Sequence, residues 1–181
     1  MSAGTPLDAD ARFQRCAAFV LQKEGWGAYT DDPKDPGGPT RWGVTLQALT
    51  QHRGRACTAA EVEALGEPEA LAIYRAAYWD AAGGDGLPAG IDLMCFDAAV
   101  NQGVGRAVRF LQAAAGAVID GVAGPATLAA ATAANPDSLI DRIKQERATA
   151  YWDAPGWSEY GHGWANRLTA CTAQAHRWVN A

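Results

Sequence analysis

Between Asp8 and Glu24 the apolar residues fall at Phe13, Cys16, Ala17, Val20 and Leu21. That is the three-and-four spacing of a helix with one buried stripe. Asp8 or Asp10 stands in the capping position, so the pattern predicts a helix over 8–24. Glu24 continues the stripe and closes the helix, which places a carboxyl group on the core-facing side where the chain leaves. The periodicity then stops. Pro33, Pro36, Gly37, Gly38 and Pro39 impose turns and extended backbone from Gly25 to Pro39. The short runs Ala28–Thr30 and Thr40–Val44 flank this segment and are expected to pair as a hairpin. Thr45 is placed to cap a helix reaching about His52, and Thr58-Ala-Ala-Glu61 has the form of a capping box.

Downstream the pattern is helical throughout. A helix is expected from about Pro68 to Trp79 with an inner stripe of Leu71, Tyr74 or Arg75, and Tyr78, followed by a Gly-rich turn from Gly83 to Gly90. The stretch Ile91 to Gln102 is apolar over most of its circumference, as in a helix at the centre of a domain. A second core helix follows over about 105–115. After the turn Gly121 to Gly124, Pro125 occupies the first position of a helix, where its missing N–H does no harm. Another helix runs from about Pro136 to Trp152, then a Trp/Gly-rich loop from Pro155 to Gly163, then a last helix from Trp164 to Val179. The fold class this implies is α+β, mainly α, with one small β-hairpin.

Composition narrows the function. The 181 residues are 49% hydrophobic, ample for a packed core, and suit one domain or a domain with an appendage. The net charge of −5 and the lack of a basic patch argue against nucleic acid. No apolar run reaches the length of a membrane span. The N-terminus has no basic region followed by an apolar stretch, so synthesis in the cytoplasm is expected. The four cysteines, Cys16, Cys57, Cys95 and Cys171, are widely spaced and lack nearby histidines. No zinc site is expected, and the thiols read as small core residues, with a Cys16–Cys171 bridge left open. The Asp-rich loop lacks the alternating ligand spacing and closing Glu of a calcium loop, so no metal is expected.

Glu24 is the residue best placed for chemistry. A partly desolvated carboxyl has a raised pKa and can donate a proton near neutral pH. Hydrolysis of a sugar–sugar bond needs such a donor and a second polar group to hold water or steady positive charge. Asp31, Asp32, Asp35 and Thr40 follow within the same segment, and each Asp can equally serve as a turn cap. Trp26, Tyr29, Trp42 and Trp79 are candidates to stack on sugar faces or to form core and groove wall. Asn101 and Gln102, ending the apolar helix, either brace that helix end or contact ligand. Asp97, on the same apolar helix, is expected to accept hydrogen bonds from backbone or an arginine. The Asp120–Thr127 segment is read mainly as a capped helix start.

The stretches Glu24-Gly25, Asp32-Pro33-Lys34-Asp35-Pro36-Gly37-Gly38-Pro39-Thr40 and Trp42-Gly43-Val44-Thr45 resemble the signature of glycoside hydrolase family 108, a family of phage-type and bacterial N-acetylmuramidases. The likeness continues through Tyr78-Trp79, Phe96 to Gly103, Leu111-Gln112, Asp120 to Thr127 and Gly163 to Arg167. It implies a lysozyme-like domain, with a catalytic region over 8–112 and a helical, peptidoglycan-binding-like region over 113–181 packed on it. It also implies that Glu24 is the catalytic acid, with Asp35 and Thr40 as its partners and Asp32 in reserve. Trp26 departs from the family's usual second glycine. The resulting expectation is an endolysin-like muramidase, monomeric and without cofactor, acting on peptidoglycan glycan strands in the cell wall after release by a holin or other export partner. The rival expectations are a lytic transglycosylase and a wall-binding or secretion-assisting protein without activity.

Overall fold

The structure is a computed structural model and describes residues 7–23, 27–32 and 37–179. Nine α-helices and three short strands are found among them: α1 (Ala9–Lys23), β1 (Tyr29–Thr30), β2 (Thr40–Arg41), β3 (Val44–Thr45), α2 (Leu46–Arg53), α3 (Ala59–Glu63), α4 (Glu67–Tyr74), α5 (Ile91–Gln102), α6 (Val104–Ala115), α7 (Pro125–Ala133), α8 (Pro136–Trp152) and α9 (Trp157–Val179). The mainly helical α+β class is as the pattern predicts. The residues form two compact units, one of Ala17–Ala77 and one of Met1–Cys16 with Tyr78–Ala181. Within the second of these units α5 packs with α6, α8 and α9, and α6 packs with α8.

In the unit of residues 17–77 the strands form one antiparallel sheet in the order β1-β2-β3, with Thr30 opposite Thr40 and Arg41 opposite Val44. The expected hairpin is therefore a three-stranded sheet. The extra strand arises because Trp42 and Gly43 both take positive φ (56° and 71°), making a two-residue turn within the predicted run 40–44. Thr45 then caps α2, accepting from the Ala48 amide at 3.2 Å. Thr58 and Glu61 complete the capping box on α3. Arg53 clamps these helices, donating to Glu69 from Nε at 2.8 Å and to Glu61 from Nη1 at 2.9 Å. The Glu61 carboxyl is held down at about 2, first by its bond from Arg55 and then by the Thr58 amide.

The unit containing residues 78–181 is a helical assembly centred on α5, of which Ile91 through Ala99 are all buried. Phe13, Trp79 and Phe96 meet edge to face, with centroids 5.5–5.9 Å apart. Trp79 enters this cluster because the helix after Tyr74 widens into a π turn, Arg75–Asp80. The extra residue in that turn moves the buried stripe from Tyr78 to Trp79. The observed inner positions of α4 are Ala70, Ile73 and Tyr74, in place of the expected Leu71. The predicted loop 155–163 is also helical from Trp157 onward. Gly161 breaks nothing there: a Cβ would lie 2.7 Å from the Trp157 ring, so the glycine makes room for the indole. All four cysteines are free thiols, three of them buried, and burial pushes Cys95 up to about 12. Among the described residues no helix is long and apolar enough to cross a membrane.

Candidate active site

The stripe that carries the argument for Glu24 is in place. Phe13, Cys16, Ala17, Val20 and Leu21 are all at most 2% exposed, while Gln22 and Lys23 face solvent. Asp8 caps the helix, accepting from the Ala11 amide at 2.8 Å. Glu24, Trp26 and Asp35 themselves lie outside the described residues.

Tyr29, Asp32, Thr40 and Trp42 are brought together on or beside the three-stranded sheet. Tyr29 lies on β1 and Thr40 on β2, in registers one step apart. The Tyr29 hydroxyl donates to Asp31 at 3.4 Å. Partial desolvation, then the Asp31 and Glu63 carboxylates, raises the Tyr29 pKa, so the phenol stays protonated at neutral pH. Asp31 and Asp32 follow β1 directly and are exposed. Thr40 is half-buried, and its hydroxyl donates to the Gly38 carbonyl at 2.9 Å. That bond leaves the lone pairs of Oγ1 as acceptor capacity.

Trp42 is built into the scaffold more than a stacking face would require. It is the only described non-glycine residue with positive φ. Its carbonyl accepts from the buried Tyr74 hydroxyl at 2.9 Å, and its indole N–H donates to the Leu65 carbonyl at 3.1 Å. The ring lies so close over Gly27 that a Cβ there would come within 2.6 Å. The Gly27 carbonyl in turn accepts from Arg41 Nε at 3.2 Å. Trp42, anchored by Tyr74, and Arg41 thereby fix the position of Gly27.

The remaining predicted residues belong to the other unit. Trp79 is corrected from a sugar-stacking candidate to a core residue. It is 0% exposed, its ring faces are taken by Phe13, Phe96 and Gly84, and its N–H donates to Asp85 at 2.7 Å. Asn101 and Gln102 brace the end of α5: Asn101 accepts from the Tyr151 hydroxyl, and Gln102 accepts from Arg147 Nε at 2.9 Å. Asp97 does accept from arginine, and from two of them, Arg147 at 2.7 Å and Arg167 at 2.9 Å. In the Asp120–Thr127 segment the fully buried Gln112 side chain donates to Asp120, Val122 and Thr127 and accepts from the Gly121 amide. That segment is a closed turn held from beneath. The signal for it was Gln112 itself, an amide on the inner face of a helix, which must find partners.

The chain matches the family model described as Glycosyl hydrolase 108 over residues 17–103. Among solved structures it is similar to a chain described as the structure of Brucella abortus SagA, at 37% identity and a TM-score of 0.86, with 95% of this chain and 98% of that one covered. No curated protein matches the chain.

Proposed function

The chain belongs to the glycosyl hydrolase 108 family, and on that premise we propose that it is an N-acetylmuramidase that cleaves the β-1,4 bond between N-acetylmuramic acid and N-acetylglucosamine in peptidoglycan. Family membership makes it a glycoside hydrolase directed at peptidoglycan; the bond cleaved and the acting residues are our reading. The observation that carries it is the family match, which spans both Glu24 and the Asp/Thr sheet segment.

In this mechanism Glu24 donates its proton to the glycosidic oxygen as the bond to the anomeric carbon breaks, and positive charge develops on the sugar ring. Asp35 holds or activates the water that attacks the anomeric carbon, with Thr40 orienting that water through its hydroxyl. Asp32 is the reserve for Asp35. The water's proton passes to the carboxylate, and the leaving sugar departs as a neutral alcohol. Support for Thr40 comes from its half-buried place on β2 and from a hydroxyl already oriented by Gly38. Tyr29, Trp26 and Trp42 are the candidates to hold the glycan. Residues 113–181 are proposed to add peptidoglycan affinity. The enzyme acts at the cell wall, reaching it with an export partner.

The test is loss of turbidity from purified cell walls. Glu24→Gln removes the proton donor without changing side-chain size, and general acid catalysis accounts for about 10²–10⁴ in rate, so lysis should fall by at least about 100-fold. Near-normal lysis by this variant would remove Glu24 from the mechanism. Mass spectrometry of the products checks the reaction type. Muramic acid with a free reducing end supports hydrolysis, whereas a 1,6-anhydro sugar supports a lytic transglycosylase. Trp26, in place of the usual glycine, favours a second reading in which the chain binds walls without cutting them. Sedimentation with walls at unchanged turbidity would support it.

A further inference from the structure

One cavity in the unit containing residues 78–181 carries a charge arrangement that the catalytic reading leaves unused. It has a volume of about 330 Å³ and is lined by Arg106 and Arg109 of α6 and by Ala150, Asp153 and Pro155 at the end of α8, with Phe110 beside them. Arg106 and Arg109 stand three residues apart on the helix, so their side chains share a face. Both are exposed, and among the described residues neither is in an ion pair. Arg109 is also held in place. Its Nη1 donates to the Gly105 carbonyl at 3.2 Å, and its guanidinium rests on Gly121, where a Cβ would come within 2.9 Å of the central carbon. Gly121 takes a φ of +82°, so that contact depends on glycine twice over.

Asp153 stands on the other side of the charge balance. It is the C-cap of α8, its amide bonded to Thr149 and its carboxylate exposed. A carboxylate at a helix C-terminus faces the negative end of the dipole and the last carbonyls, which favours a cation beside it. The cavity therefore sets two guanidiniums, of which Arg109 also feels the Asp120 carboxylate, against one carboxylate at a helix end. A simple anion would be repelled by Asp153, and a simple cation by the arginines. Phe110, 9% exposed, and Ala150 belong to an apolar cluster that suits a short methylene chain.

We propose that this cavity binds the zwitterionic end of a peptidoglycan stem peptide, a carbon bearing both ammonium and carboxylate, with the carboxylate on Arg106 and Arg109 and the ammonium on Asp153. The proposal rests on peptidoglycan being the substrate. A free diaminopimelate side chain has this form at the end of a methylene arm; a lysine side chain has the ammonium alone. The site would make the enzyme sensitive to peptide composition and cross-linking, since a cross-linked amine is no longer charged.

The experiment is calorimetric titration of the full chain with three probes: the disaccharide-tripeptide ending in meso-diaminopimelate, the same molecule ending in lysine, and the peptide-free disaccharide. A bidentate, charge-assisted contact should make the diaminopimelate probe bind about 10-fold tighter than the lysine probe. Arg106→Glu, at an exposed position, should erase that preference, and Asp153→Lys, also exposed, should weaken both amine-bearing probes. Equal affinities in the wild-type protein, a preference that survives Arg106→Glu, or amine-probe binding unchanged by Asp153→Lys overturns the proposal. Release of reducing ends from intact, peptide-bearing peptidoglycan by the wild-type protein is measured alongside. If it is absent while the preference persists, hydrolysis falls and the peptide site stands. If it is present without the preference, only the peptide site falls.

Discussion

Asp97 is a carboxylate sealed from water, 0% exposed, with a fully buried Arg147 on one oxygen and Arg167 on the other. Burial alone would lower the Arg147 pKa, but Asp97 outweighs it, so the guanidinium stays charged. Removing one partner of such a pair leaves an uncompensated buried charge, which costs about 3–5 kcal/mol. Asp97→Ala should therefore lower the urea unfolding free energy by about that amount, and a loss below about 1 kcal/mol would show that the pair is not structural. That Asp97 needed a cationic or backbone partner was legible from the sequence, since an acid on an apolar helix cannot stay unpaired. Which arginines answer it was not, because they lie 50 and 70 residues further along the chain. Trp79 went the other way. An aromatic residue near a sugar-handling motif looks the same in sequence whether it lines a groove or fills a core.

Element starts were the most legible part of the fold, because caps are local chemistry. Thr45, the Thr58–Glu61 box and Pro125 each open a helix where the residue types demand it. The misses are places where a partner from elsewhere in the chain overrides local preference. The β2–β3 turn is carried by Trp42 in a left-handed conformation that Tyr74 stabilises from 32 residues away. Gly161, in the first turns of α9, reads as a breaker, yet it accommodates the Trp157 indole. Of the candidate site, the stripe of α1 and the place of Thr40 beside Tyr29 were readable. The pairing of α8 with α9 also has a pH signature that no local pattern announces. His176 on α9 lies 2.6 Å from Asp137 and 3.2 Å from Asp141, both on α8. The bond to Asp137 is the largest influence, and although partial burial opposes it, the net effect raises the histidine pKa above its ordinary 6.5. A raised folded-state pKa means the contribution is fully present below the unfolded value and is lost as pH rises through the folded one. Comparing urea midpoints of wild type and His176→Gln should give a gap at pH 5.5 that closes by pH 8.5. The groups are partly exposed, so the gap should stay below about 1 kcal/mol. A gap independent of pH would assign His176 a packing role only.

At the scale of the whole chain, the question is whether residues 8–112 can stand alone as a catalytic region. The packing within the unit of Met1–Cys16 and Tyr78–Ala181 argues that they cannot. Helix α5 is buried around its whole circumference from Ile91 to Ala99, and α6, α8 and α9 all pack against it. Leu139, Ile140 and Ile143 of α8 are 0% exposed, as are Cys171 and Ala175 of α9. A chain ending at Gln112 would lose the α8 and α9 surfaces. It would also leave Asp97 without Arg147 and Arg167, and Gln112 without the Asp120–Thr127 turn that satisfies its amide. Exposing α5 forfeits about 25 cal/mol for each Å² of apolar surface returned to water, against a total stability of only about 5–15 kcal/mol for a domain of ordinary size. The fragment 1–112 should therefore show no cooperative thermal transition by circular dichroism and no wall lysis, while the full chain shows both. A fragment that melts cooperatively and cuts cell walls would mean that the C-terminal helices are an accessory to a self-sufficient enzyme. Their buried contacts would then serve attachment and would not be part of the core that positions the site.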